Sequence, residues 1–346
     1  MTRSTVIALS VAFAVSFGAA SAQPRQAPEA PPAIPVDVGN FTRAETDMYF
    51  AKTVQRGAFG KFAHERTVVP IEKQDVVGMN RDTLYSYAVF DLDAAPVTIT
   101  LPDPGQRFMS LLAISQDHYV VDVVYAPGRT TYTKEKVGTH YVFLAVRTLI
   151  DPQNAADVKA ANALQDAITA EQANVGTFEV PNWDAATRDR ARSALLALNA
   201  LGGAPNRFGR KDEVNPVDHL IGTAAGWGGN PPNAAIYVPV YPKANDGTTV
   251  HQLRVKDVPV DGFWSISVYN AKRFFEKNAL NAYSVNNLTG TAAADGSITV
   301  QFGGCDTQTP NCLPIMPGWN YILRLYRPRA EIQNGSWTFP TAQPVQ

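Results

Sequence analysis

The chain has 346 residues, 45% hydrophobic and 18% charged, enough apolar material for two packed cores. A formal charge of −1 leaves no basic stripe for nucleic acid and no polybasic helix for an anionic membrane. The five histidines (His64, His118, His140, His219, His251) are scattered without metal-ligand spacing, and no G-x-S-x-G, P-loop or G-x-G-x-x-G occurs. No metal and no cofactor are therefore expected.

The N-terminus carries Arg3, an apolar run from Val6 to Phe17 and an A-x-A site at Ala20-Ser21-Ala22. That combination predicts a signal peptide over 1–22 and a periplasmic or secreted protein. The apolar run is too short to span a bilayer, which takes roughly 20 residues, so no membrane anchor remains after signal removal. A Pro/Ala-rich linker, extended and disordered, is expected over 23–40.

Thr42 and Glu45 have capping-box spacing, and Met48, Ala51, Gln55, Phe59 and Phe62 recur at helical intervals. They predict a helix from Arg43 to Phe62. Strands follow at Leu84–Phe90, Val97–Leu101, Phe108–Ser115, Val120–Tyr125 and His140–Thr148, separated by Asp/Pro/Gly turns. Together these form an N-terminal helix plus β lobe, 41–150. Helices are predicted at Asp157–Thr169 and Asp184–Leu201, then a Gly/Pro/Asn-rich ordered loop at Arg207–Asn233, making a connection over 151–233. A C-terminal β lobe, 234–346, has strands at Ala235–Tyr241, Val250–Val255, Phe263–Tyr269, Ile298–Phe302 and Tyr321–Tyr326. Asp246-Gly247 and Asp295-Gly296 read as hairpin turns. The class is mainly β (α+β), a sandwich or barrel pattern in two lobes around a helical middle.

Cys305 and Cys312 are the only cysteines and share one loop; in an oxidising compartment they pair as a disulfide. Asn80-Arg81-Asp82-Thr83-Leu84-Tyr85-Ser86 is the densest polar cluster before a strand. Its Asn and Asp either cap a turn or carry Asp82 and Thr83 into a pocket with Tyr85. Asp117 and Tyr119 fall on one strand face, which keeps Asp117 from orienting His118. Arg324, between two leucines in an apolar strand, is either paired in the interior or available to an anion. Trp227, Trp264, Trp319, Tyr269 and Tyr326 fit either a sugar-stacking wall or a core.

The Asn80–Ser86 run and the following FDLDAAPVTITLPD resemble the N-x-D-T-x-Y-S…DL…P…LP pattern of domain-of-unknown-function family 1254. GFWSISVYN, DGSITV, the NCLPIMPGW loop and RLYRP resemble its usual C-terminal partner, family 1214. The resemblance implies two jelly-roll-like β-sandwich lobes joined by a helical segment, in bacterial proteins often exported, and no established activity. Its motif positions are Asn80, Asp82, Thr83, Tyr85, Asp117, Trp264, Tyr269, Arg324 and Tyr326. Cys312 stands where the second family often has Trp.

Two functional readings follow. One is a hydrolase or lyase acting on a small polar or carbohydrate-like substrate between the lobes. It would use Asp82 and Asp117 as acid/base groups, with Asn80, Thr83, Tyr85, Tyr119, Trp264, Tyr269, Arg324 and Tyr326 binding substrate. The other is a non-catalytic periplasmic ligand-binding or structural module. The enzyme and the ligand-binding module take a small molecule as partner, in the structural module the same polar groups only hold strands and loops together, and homo-oligomerisation is open in each.

Overall fold

Short runs of branched and aromatic residues decide most of the strands, and inter-strand pairing decides where each lobe buries its apolar face. A computed structural model of the chain describes Met1 and residues 32–74, 77–202 and 206–345. The expected signal peptide and the start of the linker lie outside the described residues. The N-terminal part runs α1 (Phe41–Gln55), β1 (Ala63–His64), β2 (Thr83–Asp91), β3 (Val97–Leu101), β4 (Met109–Ser115), β5 (Val120–Tyr125), β6 (Gly128–Tyr132), α2 (Lys134–Val137) and β7 (Tyr141–Leu149). Next come α3 (Ala155–Asp166), β8 (Thr169–Gln172), α4 (Ala185–Asn199) and α5 (Pro216–Gly226). The C-terminal part holds β9 (Ala235–Val240), β10 (His251–Val255), β11 (Trp264–Tyr269), β12 (Ser284–Asn286), β13 (Ile298–Phe302), β14 (Cys312–Leu313), β15 (Asn320–Tyr326), α6 (Ala330–Gln333) and β16 (Gln343–Pro344).

Each lobe is a pair of facing sheets. In the first, the sheet β1-β2-β7-β4-β5 packs on β6-β3-β8. Phe90, Leu111, Leu144 and Val146 meet Val97, Ile99 and Tyr132 between them. In the second, β12-β11-β15-β9 packs on β14-β13-β10-β16 through Trp264, Ile266, Leu323, Val300, Phe302 and Trp319. The expected mainly β, two-sandwich architecture is the one observed. The Cys305–Cys312 disulfide closes the loop between β13 and β14.

Several local expectations are corrected. The first helix stops at Gln55, because Gly57 takes φ +82°, and Phe59 instead bridges to Val89. Thr42 is not its cap: Asn40 precedes the helix without a side-chain cap bond, and buried Glu45 is used to pair with Arg192 of α4 at 2.5 Å. The linker is docked from Ile34 onward, where Ile34 bridges to Trp183 and the Val36 amide donates to Thr187 Oγ1. The stretch taken as a loop contains α5, capped by Asn215 with Pro216 in its first turn. Neither Asp-Gly pair closes a hairpin of paired strands: Asp246 turns the chain between β9 and β10, which lie in different sheets, and Asp295 only precedes β13.

α1 and the segment around Trp227 at the end of α5 cover the outer face of the five-stranded sheet, with Phe50, Phe143 and Trp227 in the contact, and α4 packs on α1 and α5. The turn between β4 and β5 is locked there by His118, which sits at φ +62°. His118 Nε2 accepts the Gly228 amide at 2.9 Å, so its Nδ1 carries the proton toward Thr223 Oγ1 at 2.9 Å. Burial, with a smaller contribution from His219, holds the His118 pKa well below its ordinary value. The neutral ring is therefore the folded form. Below about pH 6.5 the unfolded chain takes up a proton that the folded chain refuses, so this stability is whole above that pH and drains away below it. Unfolding free energies from urea titrations should change little between pH 7.5 and 6.5 and fall by about 1 kcal/mol between pH 6.5 and 5.5 for this histidine. Replacing His118 by Gln should flatten the dependence; a wild-type midpoint level across that range contradicts the assignment.

Candidate functional site

The C-terminal sheet β12-β11-β15-β9 has one apolar and one polar face. Strand period two sends Trp264, Ile266, Leu323 and Leu325 into the C-terminal core. Register places Asn286, Ser265, Arg324 and Tyr237 in one row across the opposite face, with Ser267 and Tyr326 beside it. Most of this polar face is buried, with Tyr237 at its exposed edge; it packs on the N-terminal sandwich, where Phe108, Leu149, Ala235, Phe263 and Tyr326 make an apolar patch in the seam.

Arg324 ties the lobes together. Its guanidinium is 3% exposed and donates to the carbonyls of Gly78 at 2.8 Å and Met79 at 3.2 Å, to Ser267 Oγ at 2.9 Å and to the Tyr269 hydroxyl at 2.7 Å. Tyr269 in turn donates to the Met79 carbonyl at 2.6 Å. Asp82, fully buried, reaches across the same seam, and its Oδ1 accepts from Ser284 Oγ at 3.0 Å and Asn286 Nδ2 at 3.1 Å. Arg324 and Tyr269 are thus used within the protein, in the paired interior role that the sequence left open for Arg324, whereas Asp82 Oδ2 has no hydrogen-bond partner among the described residues.

A second arginine, Arg147 of β7, is placed differently. Register sets it opposite Tyr85 of β2 on one side and Ser110 of β4 on the other. It is 8% exposed and has no carboxylate partner among the described residues. Its two hydrogen bonds, to Asn230 Oδ1 and the Gly228 carbonyl, are both 3.4 Å, longer than an ordinary N–H···O bond. Its Nε has no acceptor. The guanidinium lies over the Tyr85 ring at 5.5 Å and acts electrostatically on Tyr237, Tyr326 and Tyr87.

Two amides order those phenols. Asn80 Nδ2 lies 3.2 Å from the Tyr326 hydroxyl, 3.4 Å from that of Tyr85 and 3.3 Å from Thr83 Oγ1, while its Oδ1 accepts the Asp82 amide. Asn230 Nδ2 donates to the Tyr237 hydroxyl at 2.7 Å. Each phenol oxygen accepts an amide hydrogen, and none of the three meets an acceptor for its own proton among the described residues. Phenols are protonated at neutral pH, and burial pushes Tyr326 well above its ordinary value. The result is one cation and three O–H donors converging with no carboxylate, an array that complements an oxyanion. Tyr237 is 39% exposed and Tyr85 half-buried, so the array reaches solvent. Tyr85 stacks on Tyr87 at 5.4 Å, and Tyr87 borders a cavity of about 160 Å³ whose other walls include Arg56, Ala63 and Glu65.

Of the residues singled out from sequence, Asn80, Thr83, Tyr85 and Tyr326 belong to this array, and Asp82, Tyr269 and Arg324 line the same seam. Asp117 does not join them. Thr83 stands opposite Leu149 and Ser115 opposite Val142 on the same strand, seven steps apart (142 to 149), about 23 Å at the strand rise. Asp82 and Asp117 therefore cannot act as an acid/base pair. Asp117 sits in the β4–β5 turn, not on a strand, and pairs with Arg43 at 2.5 Å. Tyr119 stacks on His219 at 4.3 Å in that region. Trp264 and Trp319 are in the C-terminal core and Trp227 stacks on Tyr49, so no aromatic wall forms. Sequence reasoning passed over Arg147, Asn230 and Tyr237. Arg147 showed the signal used for Arg324, a charge inside an apolar strand.

Residues 59–137 match the model of a protein family of unknown function, DUF1254, and residues 242–330 match that of another, DUF1214. The chain pairs the two, DUF1254 first. The DUF1254 stretch supplies Asn80 and Tyr85, the DUF1214 stretch supplies Arg324 and Tyr326, and Arg147 and Tyr237 lie outside both. No curated protein matches the chain. Among solved structures, the VPA0106 protein from Vibrio parahaemolyticus is similar, with TM-score 0.68, 18% identity, and 89% of this chain and 97% of that one covered. At that identity the likeness shows a shared fold. An uncharacterised protein from Burkholderia cenocepacia aligns at TM-score 0.48 and 14% identity, over 89% of this chain and 87% of that one.

The two arginines should separate in stability measurements. Arg324→Met strands buried acceptors that a charge now satisfies, and should cost about 3–5 kcal/mol. Arg147→Met removes a desolvated, poorly bonded charge and should change stability by less than about 1 kcal/mol. Chemical denaturation of both variants decides it; equal losses would mean that Arg147 is a structural clamp as well.

Proposed function

We propose that this DUF1254–DUF1214 protein is an exported, non-catalytic module that binds a small oxyanion-bearing molecule in the seam between its two sandwiches. The observation that carries the reading is Arg147, a buried cation without a carboxylate, ringed by phenol hydroxyls whose protons have no acceptor. Burying a charge without strong compensation is costly, and such sites are kept where a ligand completes them. Asp82 and Asp117 are too far apart to share one substrate, which removes the acid/base pair a hydrolase or lyase would need here. Export is supported by the N-terminal apolar run with its Ala20-Ser21-Ala22 site and by the Cys305–Cys312 disulfide.

The test is thermal unfolding at constant ionic strength with acetate or formate as the probe, against chloride as control. A ligand at about a hundred times its Kd adds roughly 2.7 kcal/mol, a shift of several degrees. Wild-type protein should show it and Arg147→Met should not. A wild type indifferent to both anions would remove the proposal.

A further inference from the structure

We infer that the seam takes a molecule with two separated oxyanionic groups, one held by Arg147 of the N-terminal sandwich and the other by Arg327 of the C-terminal one; this rests on the anion-binding reading above. Arg327 follows β15 directly and sits at φ +52°, in the left-handed region, although it precedes Pro328. An arginine rarely adopts that conformation, and the position before a proline disfavours helical backbone further. The chain nevertheless fixes it from both sides: the Arg327 amide donates to the Ala234 carbonyl at 2.8 Å, and its own carbonyl accepts the Asp261 amide at 2.9 Å. Backbone held off its preferred conformation by surrounding bonds is a frequent mark of a functional position.

That conformation lays the guanidinium over the Tyr125 ring, 4.5 Å from its centre. Arg327 is half-buried and, like Arg147, has no carboxylate partner among the described residues. Tyr125 ends the row Tyr85–Arg147–Ser110–Tyr125 that register draws across β2, β7, β4 and β5. Arg147 and Tyr125 are two strands apart, about 10 Å between backbones. Both arginines act electrostatically on the Tyr125 phenol. Two cations without carboxylate partners among the described residues, one from each lobe, thus stand at the Arg147 and Tyr125 positions of one row, an arrangement that suits two oxyanionic groups on one short molecule better than a single carboxylate.

The experiment is isothermal titration at fixed ionic strength with acetate, glutarate and inorganic phosphate. Wild-type protein should bind glutarate roughly tenfold more tightly than acetate, the gain of one charge-assisted contact. Arg327→Gln should bring glutarate down to the acetate level and leave acetate unchanged, while Arg327→Lys should keep part of the preference. Glutarate no tighter than acetate, phosphate tighter than glutarate, or an Arg327→Gln variant that weakens acetate and glutarate alike would each overturn the two-group inference while leaving the anion site standing. Loss of the site itself reads differently: acetate would then fail to bind, or would bind Arg147→Met as well as wild type.

Discussion

The arrangement of this protein depends on how a buried guanidinium is satisfied. Arg324 faces the neighbouring sandwich from the middle of an apolar strand, and its charge can be buried there only because carbonyls, a serine and a tyrosine surround it. Those carbonyls belong to the segment that leads into β2. By engaging them, Arg324 fixes where β2 begins, and so where Asn80, Asp82 and Tyr85 lie against β9, β12 and β15. Asp82 repeats the logic in the other direction with one oxygen only: its Oδ1 accepts from Ser284 and Asn286 of the second lobe, while its Oδ2 has no hydrogen-bond partner among the described residues.

Against that seam Arg147 stands out by contrast. The two arginines share a sequence context and a burial, yet one has four good acceptors and the other only two long contacts. The difference is one of use. A group that is fully satisfied holds the fold, whereas a group left short of partners, close to solvent and among uncommitted hydroxyl protons is arranged for something else.

Much of the architecture was legible because it is local. β3, β5 and β13 fall on short runs rich in branched residues, and the helix at 185–199 starts at its Asp184 cap. α5 was hidden by its glycines and prolines, although Asn215-Pro216 is a helix start signal. The seam was legible only in outline: a polar-faced strand can be read from β11 and β15, but Asp82 meets Asn286 across 204 residues, and no local pattern encodes such a partner. The β4–β5 turn misled for a different reason. Period-two reasoning was applied to Asp117, His118 and Tyr119, while a register shift between Ala113 and Ile114 and the left-handed His118 take those residues out of the strand.

The clamp at Gly78 and Met79 also sets which changes the seam can absorb. The Met79 side chain packs beside Tyr269, Phe275 and Ile322, but Arg324 engages main-chain oxygens, so as far as the clamp goes the identity of residue 79 is free. Gly78 is not, since at φ +64° a side chain there would come within 2.9 Å of Ile322. What the clamp measures is chain length. One residue added or removed between these carbonyls and β2 would displace both by about 3.3 Å, beyond the reach of the guanidinium, whereas the loop before Gly78 can absorb a change of length. Relatives that keep an arginine here are accordingly held to a glycine at the position of Gly78 and to the same number of residues between it and β2.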